Sequence, residues 1–150
     1  MKKTDEAVVQ ILQELTEFVI DRVEGYEHAA TETKEPAHAS FYRELSSQSR
    51  KFAAELNNLI SSNGGSKETD TTLKGKFYRQ WMDLKATLTG SNEEAIINSN
   101  LYGEEWAQKA YNEALAEDVL PADIRQAVER QKQASLQACE QLKNMKSSGN

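Results

Sequence analysis

Apolar residues recur along this chain at intervals of three and four, with charged and amide side chains filling the positions between. That is the period of an amphipathic helix, and no strand-like alternation persists beyond a few residues. From about Thr4 to Thr33, Val8, Ile11, Leu12, Leu15, Phe18, Val19, Val23, Tyr26 and Ala30 fall on one stripe. Asp5 and Glu6 occupy its first turn, where acids suit the helix dipole. A second helix is predicted from Pro36, a residue tolerated in a first turn. Its inner stripe is Phe41, Leu45, Gln48, Phe52, Leu56 and Leu59, and Asn63-Gly64-Gly65 ends it.

A third, shorter segment repeats apolar residues at Leu73, Phe77, Trp81, Leu84 and Leu88 and closes at Gly90. The fourth opens on Ser91-Asn92-Glu93-Glu94, a capping-box string. Its stripe runs Ile96, Ile97, Asn100, Glu104, Ala107, Tyr111, Ala114 and Leu115. The fifth starts at Pro121 and carries Ile124, Val128, Gln131, Ser135, Ala138 and Leu142.

Four of these helices are long, roughly 25 residues or about 40 Å each. Tight turns near residues 35 and 119 make antiparallel hairpins of the first two and the last two. Residues 63–92 are too many for a turn and can carry the chain back along a bundle. The expectation is therefore all-α: a ferritin-like four-helix bundle with a long crossover carrying a short amphipathic helix. One domain would span 1–146, with the crossover at 63–92 and a polar tail at 147–150. The competing arrangement is an up-down-up-down bundle with an added surface helix.

Composition narrows the function classes. The net charge of −6 disfavours general nucleic-acid binding, which needs a basic face. Cys139 is the only cysteine, so neither an internal disulfide nor a thiolate metal cluster can form, which fits the cytoplasm. Gln10, Gln13 and Glu14 interrupt the first apolar residues, so no signal-peptide core is expected. No apolar run approaches the roughly 20 residues of an integral membrane segment.

Several strings carry a resemblance. They are Asp21-Arg22-Val23-Glu24-Gly25-Tyr26, Gln48-Ser49-Arg50-Lys51-Phe52-Ala53-Ala54-Glu55-Leu56 and Trp81-Met82-Asp83-Leu84-Lys85-Ala86. Leu88-Thr89-Gly90, Gly103-Glu104 and Ala110-Tyr111-Asn112-Glu113-Ala114-Leu115 follow in order. The chain resembles, over nearly its whole length, a bacterial ferritin-like family of four-helix-bundle proteins classed as a domain of unknown function. The resemblance implies the fold and suggests a stress-associated role, without an assigned activity. Tyr78 and Cys139 stand where the family pattern commonly has a histidine, which argues against a metal role at those positions.

A ferritin-like di-iron centre needs a Glu from each of two helices and Glu-x-x-His from the other two. The chain has two histidines. Glu35-Pro36-Ala37-His38 fits the string but straddles the first turn, at the end of the bundle. His28 has Gly25 three residues before it, and the fifth segment has no histidine. No metal, cofactor or catalytic residue is therefore expected. Nor is there a phosphate loop, nucleophile elbow or Ser-His-Asp set.

A polar layer is expected at mid-height instead. Residues equidistant from a turn share a height, which sets Arg22 beside Gln48, and Glu104 beside Ser135 and within a turn of Gln131. Asn100 lies one turn from Glu104 on the same stripe. Unpaired buried polar groups cost several kcal/mol, so these six should find one another. Either Arg22 pairs with Glu104 where relatives would hold metal, or Arg22 reaches solvent and Glu104, Gln131 and Asn100 share a water. Inward Tyr26 and Tyr111 read as packing with hydrogen-bonded hydroxyls. Cys139 reads as inert, since neighbouring Glu140 would raise its pKa.

Lys74, Lys76, Tyr78, Arg79 and Lys85, with Phe77 and Trp81, form a basic-aromatic cluster. It is either a partner surface or one edge of a helix that docks its aromatics on the bundle. The resulting reading is a non-enzymatic structural or interaction module with a degenerate metal site. Its partner would be an unknown protein or a second copy. One rival is an iron-handling or di-metal oxidase using Glu24, Glu27, Gln48, Glu104 and Gln131, although Glu24 and Glu27 fall off the apolar stripe. Another is a peripheral binder acting through 74–85.

Overall fold

The computed structural model describes residues 2–68 and 93–148. The third predicted segment, the Ser91-Asn92 start of the capping box and the basic-aromatic cluster lie outside them. The described residues form four α-helices: α1 Lys2–Glu32, α2 Pro36–Ser62, α3 Glu93–Leu115 and α4 Ala122–Ser148. None is long and apolar enough to cross a membrane.

Local chemistry sets the boundaries. Glu35 is extended before α2 and Pro36 opens the helix, with Ala39 N–H donating to Glu35 O at 2.9 Å. At the far end Gly64 takes a φ of 87°, a conformation that a side chain would strain. Gly64 N–H then donates to Ser61 O, and Gly65 N–H to Ile60 O at 2.9 Å. This is the paired ending that satisfies the last carbonyls of a helix. Gly65 is needed for a different reason: a Cβ there would drive into the Val9 and Ile60 side chains. The α3–α4 turn is fastened by Arg125, which donates to Leu115 O at 2.6 Å and Glu117 O at 2.7 Å.

Two apolar clusters fill the bundle. One joins the start of α1 (Val8, Leu12, Leu15) to the ends of α2 (Leu56, Ile60) and α3 (Tyr111, Ala114) and the start of α4 (Ile124, Val128). The other joins the end of α1 (Tyr26, Ala29) to the starts of α2 (Tyr42, Leu45) and α3 (Ile96, Ile97) and the end of α4 (Ala138, Leu142). α1 packs on α2 and α3, and α4 packs on α3 and more thinly on α2, so α2 and α3 stand on a diagonal. α2 ends in the first cluster and α3 begins in the second, so the end of α2 and the start of α3 lie at opposite ends of the bundle.

The buried face of α2 differs from the expected stripe. Tyr42, Leu45, Ser46, Ser49, Leu56 and Ile60 are buried, while Phe41, Phe52 and Leu59 are only partly so. The large apolar residues flank the buried face, and two small serines face inward against α1, Ser46 on the Val23 carbonyl and Ser49 on the bulky Arg22 guanidinium.

Candidate functional site

Between the two apolar clusters lies a polar layer centred on Arg22 of α1 and Glu104 of α3, both fully buried. Arg22 Nε donates to Glu104 Oε1 at 3.2 Å and Oε2 at 3.0 Å, and Nη2 donates to Oε2 at 2.9 Å. Its Nη1 turns to α2, donating to Gln48 Oε1 at 3.1 Å and Ser49 Oγ at 2.8 Å. Ser49 passes its own proton to Leu45 O at 2.8 Å. Small Ser49 thus leaves room for the guanidinium and accepts one of its donors, which a larger apolar residue could not do.

Glu104 is satisfied from two helices, α1 and α4. Tyr26 donates to Oε2 at 2.5 Å, and Ser135 of α4 donates to Oε1 at 2.6 Å. The Arg22 guanidinium also lies over the Tyr26 ring, 5.3 Å from its centre. Burial alone would weaken the arginine's hold on its proton. The Glu104 carboxylate more than reverses this, so Arg22 stays charged. Burial, then Glu104, push the Tyr26 phenol well above its usual range, so it remains a donor.

The other expected members are placed differently. Gln131 is buried, but its carbonyl accepts from the Tyr111 hydroxyl at 3.1 Å and its amide donates to Glu55 Oε1 at 2.8 Å. It therefore extends the layer toward the surface pair of Glu55 with Arg130 rather than binding Glu104. Asn100 is buried one turn from Glu104, and neither amide atom makes a hydrogen bond to a described residue. The nearby Tyr42 hydroxyl is in the same position. Burial raises the Tyr42 phenol, with Glu93 adding to the effect.

Among the described residues no three His, Cys, Asp or Glu side chains come together as a metal group. Glu27 is exposed and paired with Arg50 of α2, away from Glu104. Glu24 is half-buried, which raises its pKa. The set Glu24, Glu27, Gln48, Glu104 and Gln131 is therefore not gathered around one point. Burial, then Glu104, push the Cys139 thiol to about 11, which keeps it protonated and slow to react.

Periodicity gave no sign of a second polar cluster at the α1–α2 turn. Glu93, the first residue of α3, accepts from the Thr33 hydroxyl, from Lys34 N–H at 3.0 Å and from His38 Nδ1 at 3.1 Å. Burial opposes the Glu93 charge, but these donors prevail and its pKa is lowered. Glu35-Pro36-Ala37-His38 thus meets a carboxylate after all, as a clamp between hairpins. The capping-box string hinted at a role for Glu93 at a helix start, not at this partner.

The sequence pattern of one family, described as a domain of unknown function (DUF2383), matches residues 7–117. The chain belongs to that family. The matched stretch takes in α1, α2 and α3, hence Arg22, Gln48, Asn100 and Glu104, and stops short of α4, which supplies Gln131 and Ser135. No curated protein matches the chain.

Proposed function

We propose that this member of DUF2383 is a non-enzymatic helical-bundle protein of ferritin-like topology, acting as a structural or interaction module. In this reading the Arg22–Glu104 pair stands where catalytic relatives of such bundles hold metal. The diagonal placement of α2 and α3 supports the topology, because a single long connection between opposite ends is its defining feature.

One observation carries the rest: both oxygens of Glu104 already accept from Arg22, and each accepts from a further hydroxyl. A metal ion at Glu104 would have to displace a guanidinium whose own charge repels it. The layer specifies how the helices meet instead of performing chemistry. The single thiol suits a reducing compartment, and we assign the protein to the cytoplasm. A stress-associated role and a protein partner or self-association remain part of this reading.

Metal analysis of protein purified from iron- and zinc-supplemented culture tests it. Well under one equivalent of iron, manganese or zinc is expected. Stoichiometric metal removable by chelator, together with ferroxidase activity lost in Glu104→Ala, would replace this reading with an iron-handling one.

A further inference from the structure

The outer seam between α1 and α3 holds a groove of about 610 Å³, at the end where α1 starts and α3 finishes. Each helix lines it at helical spacing: Ile11, Glu14 and Leu15 from α1, and Ala110, Glu113 and Ala114 from α3. Leu15, Ala110 and Ala114 are buried and Ile11 is partly buried, so the floor is apolar. The two alanines keep it deep, because side chains no larger than a methyl leave space between the helices.

The rim is made of carboxylates. Glu14 and Glu17 stand on one side and Glu113 and Glu117 on the other, and no lysine or arginine is among the described lining residues. Glu14, Glu113 and Glu117 are exposed. Their charge is crowded on the α1 side: burial, then Glu68, Glu14 and Asp21, raise the Glu17 carboxyl to about 7. Cationic groups entering the groove would relieve that repulsion.

We infer that this groove docks a basic amphipathic helix from a partner protein. Apolar side chains of the partner meet Ile11, Leu15, Ala110 and Ala114, and its lysines or arginines meet the four rim carboxylates. The lined stretch of each helix covers about two turns, the length read by anchors at i, i+3 or i+4, and i+7. The same rim repels anionic lipid and nucleic-acid phosphate. It also disfavours a second copy seated groove to groove, since two acidic rims would face each other. The groove is separate from the Arg22–Glu104 layer, so this inference extends the interaction-module reading without depending on the core pair. Metal content tests that reading, and peptide binding tests this one.

The experiment titrates the full chain with an idealised lysine–leucine amphipathic peptide of about 18 residues. The same peptide with glutamate for lysine serves as its counterpart, and calorimetry is the readout. Saturable one-to-one binding of the lysine peptide, weakening with salt, is expected, with none of the glutamate peptide. Glu113→Gln/Glu117→Gln should weaken binding about tenfold, while the control Glu129→Gln/Glu140→Gln on α4 should leave it unchanged. The inference is overturned by no binding, by binding of both peptides, or by equal loss in the control. A further variant, Lys74→Gln/Lys76→Gln/Arg79→Gln/Lys85→Gln, separates the remaining occupant. If only that variant binds the peptide, the chain's own basic stretch competes for the groove and the partner assignment fails. Equal binding by wild type and this variant supports it.

Discussion

Arg22 and Glu104, 82 positions apart in the chain, meet through three hydrogen bonds of 2.9 to 3.2 Å at the centre of the bundle. Neither side chain is meaningfully exposed to solvent. Such a pair is held together by strong Coulomb attraction and opposed by the loss of two hydration shells. Its geometry reduces the second effect, because Gln48, Ser49, Tyr26 and Ser135 occupy hydrogen-bonding positions that water would otherwise fill.

Removing one partner strands the other. Arg22→Met leaves a buried carboxylate with two hydroxyl donors, and Glu104→Leu leaves a buried guanidinium with one amide and one hydroxyl acceptor. Each should cost about 3–5 kcal/mol in chemical denaturation. The double variant should cost much less, because it buries neither charge. A thermodynamic cycle therefore returns a large favourable coupling. Additive losses, or no loss from Arg22→Met, would mean that the pair does not govern the layer.

How far the layer could be read from the sequence depends on the residue. On α4, Gln131 and Ser135 lie on a regular stripe between Val128 and Ala138, and all four are buried. There, three- and four-residue spacing is enough to assign a face. Counting from the turns gives Arg22 and Gln48 one height, and Glu104 and Ser135 another, because straight antiparallel helices share a constant rise. What spacing cannot supply is the direction of a side chain. Gln131 sits one turn from Ser135 yet turns its amide to Tyr111 and Glu55. Ser49 carries no signal of its own in the sequence, because a lone serine on a helix looks like surface, and its role follows only from the guanidinium opposite. Tyr26 reads as packing with a hydrogen-bonded hydroxyl, and what spacing leaves open is the acceptor, which is the same carboxylate that Arg22 holds. The Glu93–His38 contact was the least legible. It joins residues 55 apart and depends on which end of the bundle receives α3.

That contact has its own pH signature. The Thr33, Lys34 and His38 donors hold the Glu93 carboxylate below its ordinary range despite partial burial. A group whose pKa is lowered on folding stabilises the fold above its unfolded value of about 4.3, and the benefit is lost as pH falls through the folded value. Glu93→Gln should therefore destabilise the protein by about 1–2 kcal/mol at neutral pH, as expected for hydrogen bonds to a charged group. The gap between wild type and variant should narrow as the pH is taken below about 4. Urea denaturation at several pH values measures it. A gap of constant size from neutral to acid would show that the clamp does not depend on the carboxylate charge.

Glu17 should behave with the opposite sign. It lies on α1 near the point where Ser66 and Glu68 are held to the hairpin. Gln13 Nε2 donates to Ser66 O at 2.9 Å, and Glu68 N–H donates to Asn57 Oδ1 at 2.7 Å. Burial, then the carboxylates of Glu68, Glu14 and Asp21, raise the Glu17 pKa to about 7. A raised carboxyl contributes most to stability below its unfolded pKa of about 4.3, where it is protonated in both states. That contribution is lost as pH rises through about 7, when the folded state must accept one more negative charge. Glu17→Gln removes the penalty, so the variant should be more stable than wild type at pH 8, by at most about 1 kcal/mol because solvent screens this half-exposed group. At pH 5 the wild-type side chain is already mostly neutral in the folded protein and the advantage should shrink. Paired urea titrations at the two pH values decide the matter. If the variant's stability relative to wild type is the same at both, then the carboxylates around Glu17 do not hold its proton.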